Sequence, residues 1–279
     1  MPFFLIRLTL KGEILMNQIS TLFSKEIADG VFKIASTTFG CSENPGKPCR
    51  NSYLIVGSRK ALLYDLALEE KELKECAESL CRKEMVTVIG HAHIDHIYNI
   101  EQFEKILLHP ADEFLLKDGA VFQPPVKDLP EMQFIEGGDT IDLGNRVLDV
   151  IHIPGHTPGS ILLFDHKTQI LISGDTVARR LLLGLHGEVH SDRFCESLMK
   201  LQKYPIQAIF SAHDNCALPA SYIRFMVQNL TERAEKEAEI KPFPFYGKAL
   251  MFSVGTEDSI YYFDFAMPVI AEREENAKD

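Results

Sequence analysis

The chain has 279 residues, 46% apolar and 25% charged, the balance of an ordinary globular protein long enough to bury a sizeable core. Its net charge of −11 argues against a nucleic-acid surface, which needs clustered Lys and Arg. No stretch approaches the roughly 20 apolar residues that span a bilayer, and Arg7 and Lys11 interrupt the apolar start before it can serve as a secretion signal. A cytoplasmic protein is therefore expected, with no membrane and no nucleic-acid partner. None of the six cysteines is spaced Cys-x-x-Cys, so a zinc ribbon is not expected and reduced thiols are the default. A Cys41–Cys49 bridge within one loop stays open. Met16 is a candidate alternative start, because strand pattern begins only after it, which makes residues 1–18 an N-terminal extension.

In chain order, Val31–Ser36, Ser52–Val56 and Ala61–Tyr64 read as strands, with Gly57-Ser58 as the turn joining the last two. From Leu68 to Lys83 the period becomes helical, with Leu73, Ala77 and Leu80 on one face. Met85–Ile89 is the next strand, followed by a short helix at Asn99–Phe103, a strand at Ile106–Leu108 and a helix from Pro110 to Lys117. Proline suits a first helical turn, where its missing N–H would be unpaired anyway. Ala120–Pro130 holds three prolines and reads as a loop. Strands follow at Met132–Ile135, Thr140–Ile141, Val147–Ile153, Ser160–Phe164 and Gln169–Ser173. Then come a helix at Phe194–Lys203, a strand at Ala208–Ser211, one long helix at Tyr222–Glu239 and a hairpin of Lys248–Val254 with Ile260–Phe265. The charged residues 272–279 read as a frayed tail. No repeat or composition break divides the chain, so residues 1–279 are expected to form one α/β domain, with two sheets face to face and helices outside.

The chemistry concentrates where one apolar run ends. His91-Ala92-His93-Ile94-Asp95-His96 places four metal-ligand side chains within six residues, directly after Met85–Ile89. Strand ends of mixed α/β sheets are where ligands collect. In extended chain, alternate side chains share a face, so His91 and His93 can reach one ion together. Asp95 and His96, past the bend, can face a second. His156, Asp175 and His213 each follow an apolar run and can reach the same rim.

These segments resemble, in order, the motifs of the metallo-β-lactamase superfamily. They are His91-x-His93-x-Asp95-His96, then Gly155-His156-Thr157-Pro158-Gly159-Ser160, then Ser173-Gly174-Asp175-Thr176, then His213. Asn51–Leu54 and Asp65 extend the resemblance upstream. It implies a four-layer αβ/βα sandwich of two mixed sheets. It also implies that His91, His93 and His156 hold a first metal, Asp95, His96 and His213 a second, and Asp175 bridges them, with Asp65 steadying a ligand from outside. Two divalent ions, zinc first with iron or manganese as alternatives, would share a water and bring its pKa toward ~7. Asp95 would orient that nucleophile and shuttle its proton.

The resemblance implies a binuclear metal-dependent hydrolase of a small-molecule ester, thioester, lactone or phosphoester. Antibiotic hydrolysis is disfavoured, because true β-lactamases of the superfamily lack an aspartate at the position of Asp175. The alternative is a mononuclear iron oxidoreductase of the same fold, similar to persulfide dioxygenases, using His91, His156 and Asp175. A non-catalytic metal scaffold ranks third. His109, His152, His166, His186 and His190 read as ordinary surface or core histidines. Ser160 lacks a nucleophile-elbow context. Arg179 and Arg180 face either an anionic substrate or solvent, and Leu181–Leu183 with Leu185 line either a cleft or a homodimer interface. Specificity is expected in Gly40–Arg50, Ala120–Pro130 and Thr176–Ser191.

Overall fold

The computed structural model describes residues 7–8, 14–15, 21–36, 45–47, 49–120, 123–244 and 247–269. Cys41, most of the extension at residues 1–18 and the tail at 272–279 lie outside the described residues. The two-residue strands β1 (Arg7–Leu8) and β2 (Ile14–Leu15) pair with each other.

A seven-stranded sheet follows chain order: β3 (Leu22–Ala28), β4 (Val31–Ser36), β5 (Asn51–Val56), β6 (Lys60–Tyr64), β7 (Glu84–Val88), β8 (Lys105–Leu108) and β9 (Glu131–Phe134). Its first four strands are antiparallel; β6 to β9 are parallel. The crossover from β6 to β7 runs through helix α1 (Leu73–Leu80), and α2 (Glu113–Lys117) follows β8. A five-stranded sheet joins β10 (Thr140–Asp142), β11 (Val147–His152), β12 (Ile161–Asp165), β13 (Ile170–Gly174) and β15 (Ala208–Ser211). Between β13 and β15 lie β14 (Arg180–Leu182) and helix α3 (Ser191–Met199); α4 (Ser221–Gln228) comes after β15. The chain then widens into a π-helical turn at Asn229–Ala234 and ends its helical run at α5 (Glu235–Glu237). A third sheet orders β14, β18 (Phe263–Pro268), β17 (Gly247–Val254) and β16 (Glu239–Phe243).

The alternation of side chains along each strand explains the layering. From β5 and β6, Tyr53, Ile55, Leu62 and Tyr64 pack with Leu148, Val150, Ile161, Leu163, Ile170 and Ile172 of the second sheet. The opposite faces send Leu54, Ala61 and Leu63 against Leu73 and Ala77 of α1 and Leu115 and Leu116 of α2. On the far side, Leu162, Phe164 and Leu171 meet Phe194 and Leu198 of α3, Tyr222, Ile223 and Met226 of α4, and Phe252, Phe263 and Phe265 of the third sheet. Helices, sheet, sheet, helices: this is the expected αβ/βα sandwich, with the third sheet added. Strands buried on both faces must be apolar throughout, which is why they read as continuous runs.

Several boundaries differ from expectation for local reasons. The helix expected from Leu68 starts at Leu73, because Leu66 pairs with the metal-motif loop: its N–H donates to the His96 carbonyl (2.9 Å) and its carbonyl accepts from the Tyr98 N–H (3.0 Å). The long helix expected to Glu239 gives way to β16 at that residue. Of the apolar residues expected to line a cleft or an interface, Leu182 and Leu185 stay part-exposed, whereas Leu181 and Leu183 do not reach the surface. Both are buried in the core, and Leu181 lies on β14, paired in parallel with β18. Arg179 is neither solvated nor free for a substrate. It is fully buried, and its guanidinium donates to the carbonyls of Pro45, Glu257 and Ser259. Among the described residues no helix is long and apolar enough to cross a membrane.

Candidate metal centre

The strands that carry the motifs end at one rim. There the two large sheets are tied by hydrogen bonds rather than by apolar packing alone. The Tyr64 hydroxyl donates to the Ile161 carbonyl (2.7 Å), the Tyr53 hydroxyl to the Ser211 carbonyl (2.6 Å), and the Asn51 side-chain amide to the carbonyls of Ser211 and Asp214. The Ile161 N–H donates to the Gly90 carbonyl, directly before His91. Two backbone conformations mark the rim. Gly174, before Asp175, has φ of +52°, which glycine adopts at little cost. Asp65 has φ of +60°, unusual for a residue with a side chain and most often seen where a site demands it.

All seven residues expected as ligands converge here. The Nε2 of His156 lies 3.1 Å from His91 Nε2 and 2.9 Å from His93 Nδ1, so three imidazole nitrogens face a common point. A second set comprises Asp95, His96 and His213, with His213 Nε2 3.3 Å from Asp95 Oδ2. Asp175 reaches both sets: its carboxylate oxygens lie 3.5 Å from His156 Nε2, 3.5 Å from His96 Nε2 and 3.3 Å from His213 Nε2.

The other ring nitrogen of four histidines is already engaged, and this orients the ring. His96 Nδ1 bonds Asp65 (2.8 Å), His156 Nδ1 the Leu182 carbonyl (2.8 Å), and His213 Nδ1 the Cys49 carbonyl (2.9 Å). Each of these N–H groups donates outward, so the remaining nitrogen points its lone pair inward. Such an outer partner fixes tautomer and ring direction for a metal-ligating histidine. Asp65 is held in turn by the Gly90 N–H (2.7 Å). For His93 the outer partner is His186, Nε2 to Nε2 at 2.7 Å, a histidine that read as ordinary in the sequence.

The electrostatics match a cation. Burial pushes His91 and His93 well below the ordinary histidine pKa, and neighbouring imidazoles push them further. Burial also opposes charge on His96, yet the carboxylates of Asp175, Asp65 and Asp95 prevail and raise it to about 10. His213 is raised for the same reason by Asp175 and Asp95. Asp95 and Asp175 are held below the usual carboxylate range by these histidines, against the effect of burial. His96 Nε2 and Asp175 Oδ1 are buried without a hydrogen-bond partner, which is costly unless something else satisfies them. An imidazole and carboxylate donor set with two such atoms at its centre fits a divalent metal.

Two supports of the site carry no sequence signal. Asp112, in the turn before α2, is buried. It accepts from the Ala92 N–H (3.0 Å), the Thr157 hydroxyl (2.7 Å) and the Gly159 N–H (2.6 Å). It therefore clamps the His91–His96 loop to the His156 loop. Asp214, next to His213, accepts from the Ser211 hydroxyl (2.6 Å) and the Arg179 N–H (3.1 Å). His109 and His152 stack at 3.8 Å outside the cluster, and His152 Nε2 meets the Pro158 carbonyl at 2.8 Å. His166 and His190 are exposed.

Known proteins give the same picture. Residues 50–213 match the family described as the metallo-beta-lactamase superfamily. Human acyl-coenzyme A thioesterase MBLAC2 is 29% identical over 187 residues, 55% of this chain and 65% of the relative. The match thus spans just under two thirds of that relative's length. The probable metallo-hydrolase YqgX of Bacillus subtilis is 24% identical over 179 residues, 58% of this chain and 84% of the relative. Among solved structures, a metallo-beta-lactamase from Pontibacter korlensis superposes with a TM-score of 0.60 at 16% identity, covering 76% of this chain and all of that one. At that identity the likeness concerns the fold.

Proposed function

The chain belongs to the metallo-beta-lactamase superfamily, and we propose that it is a binuclear metal-dependent hydrolase of acyl thioesters. The observation that carries this reading is Asp175, a buried carboxylate within 3.5 Å of ligand nitrogens from both sets, with one oxygen unpartnered. His91, His93 and His156 would hold one ion, and Asp95, His96 and His213 the other. Asp175 would stand between them. The donor set suits zinc, with iron or manganese also admissible. The metal pair would supply a water acidic enough to react near neutral pH, together with Lewis-acid stabilisation of the carbonyl oxygen.

The residues themselves do the rest. Asp95 is part-exposed, at 32% of its side chain, and its Oδ2 lies 3.3 Å from His213. It accepts a hydrogen bond from the attacking water and takes its proton as the oxygen closes on the carbonyl carbon. The carbon–sulfur bond then breaks, leaving a thiolate and a carboxylic acid, whose proton and the one held by Asp95 pass to the thiolate or to water. A cysteine-type thiol ionises at ~8.5, so a thiolate is a stable enough leaving group to depart without a dedicated acid. Asp65 and His186 keep His96 and His93 aimed during the reaction, and Asp112 keeps the two loops in register.

The name of the human relative supports the thioester choice among the hydrolysable bonds. A panel of acyl thioester, oxygen ester, lactone and phosphodiester probes tests it. Metal-dependent cleavage is expected to be fastest on the thioester, lost with chelator and restored by zinc. Absence of thioester cleavage in metal-loaded protein would overturn the reading. The substrate is a small molecule, and we include in the proposal a cytoplasmic protein that engages neither nucleic acid nor membrane.

A further inference from the structure

Next to the metal centre lies a cavity of about 430 Å³, within the ~300–1,000 Å³ typical of small-ligand sites. It opens between the His156 loop on one side and the segment from His186 to α3 on the other. His156 and His186 both line it. The first is 3.1 Å from His91 and the second 2.7 Å from His93, so the cavity borders the first ligand set. Most of its remaining wall area is apolar, from Pro154, Pro158, Val189 and the buried Phe194, with His152, His190 and Ser197 also on the lining. The charged groups that line it, Glu188 and Arg193, are exposed.

We infer that this cavity receives the acyl chain of the thioester, with the reacting carbonyl at the His156 end. The inference rests on the thioesterase reading and adds to it the place and nature of the specificity determinant. A thioester has an apolar half and a leaving-thiol half. In a coenzyme A thioester the thiol half carries amides and phosphates. Desolvating those against proline, valine and phenylalanine would be costly, whereas a hydrocarbon chain gains by leaving water there. Continuity with the ligand set leaves no gap between the bound chain and the bond to be cut. Val189, before α3, and Ser197 on α3 line the cavity from two sides, and neither is bonded to a metal-ligand histidine.

The test uses the metal-loaded full chain and thioesters of one thiol, from acetyl to dodecanoyl. For the wild type, kcat/KM is expected to rise by up to about fourfold per methylene, then level once the cavity is full. Ser197→Phe and Val189→Phe narrow the cavity from two sides. Each is expected to lower the octanoyl-to-acetyl ratio of kcat/KM by at least about tenfold. Metal content and melting temperature matched to wild type identify the properly folded variants. If one variant fails that check, the other and the wild-type series decide. A flat chain-length profile, an equal loss on all chain lengths, or an altered dependence on the thiol half at constant acyl group would overturn the inference while leaving the thioesterase intact. Failure of the wild type to cleave any thioester would instead overturn the activity on which it rests.

Discussion

Replacing Asp112 tests whether the metal centre is held together from outside its ligands. In Asp112→Ala the backbone N–H groups of Ala92 and Gly159 lose their acceptor inside a buried site, whereas the Thr157 hydroxyl keeps Ser160 Oγ at 2.8 Å. A stranded buried donor costs ~1–3 kcal/mol, so two amount to about 2–6 kcal/mol, near the top of the range for one substitution. Asp112→Asn should cost less. Its oxygen can replace Oδ2 and still accept from Ala92 and Thr157, leaving only the Gly159 N–H facing an amide, for about 1–3 kcal/mol. The assay is urea unfolding of metal-loaded protein, with chelator competition alongside. Because Ala92 sits between His91 and His93, and Thr157 follows His156, the alanine variant should also release metal more readily. If it unfolds within about 0.5 kcal/mol of wild type, as an inert surface change would, and retains metal equally well, the clamp is not what holds the loops.

His186→Ala removes the ring bonded to His93 Nε2 and should weaken retention of one ion about 10–100-fold in chelator competition, with partial recovery in His186→Gln; unchanged retention would refute its role. Arg179→Met strands the carbonyls of Pro45, Glu257 and Ser259 and should cost about 3 kcal/mol by thermal unfolding, since a buried cation's hydrogen bonds are lost together; a neutral effect would show that these carbonyls find other partners. Gly90→Ala would drive a methyl group into the Tyr64 hydroxyl, which ties the two sheets, and should destabilise by about 1–3 kcal/mol. An unaltered melting temperature would mean that Tyr64 can move without loss.

What could be read from the sequence divides along the range of the contacts. β5, β6, β12 and β13 were legible because burial on both faces leaves an uninterrupted apolar run. β3 was not, because it is a sheet edge whose Ser24, Lys25 and Glu26 hide any alternation. β14 exists only through parallel pairing with β18, some 80 residues later, so nothing local announces it. Glu239 continued a helix-forming stretch by composition, yet the third sheet claims it through pairing with Met251. The same division holds at the metal centre. Its seven central residues sit at strand ends in recognisable local patterns. Asp112 and His186 act through partners 20 to 93 positions away, and a single aspartate or histidine on a loop carries no mark of that.

The most direct test of the binuclear hydrolase is metal analysis of protein purified without added metal, set beside thioester turnover and oxygen uptake on the same sample. About two divalent ions per chain, with turnover lost in His93→Ala and Asp175→Ala while the fold persists, is the expected result. A single iron per chain, with oxygen consumed on a persulfide and no thioester cleaved, would contradict it.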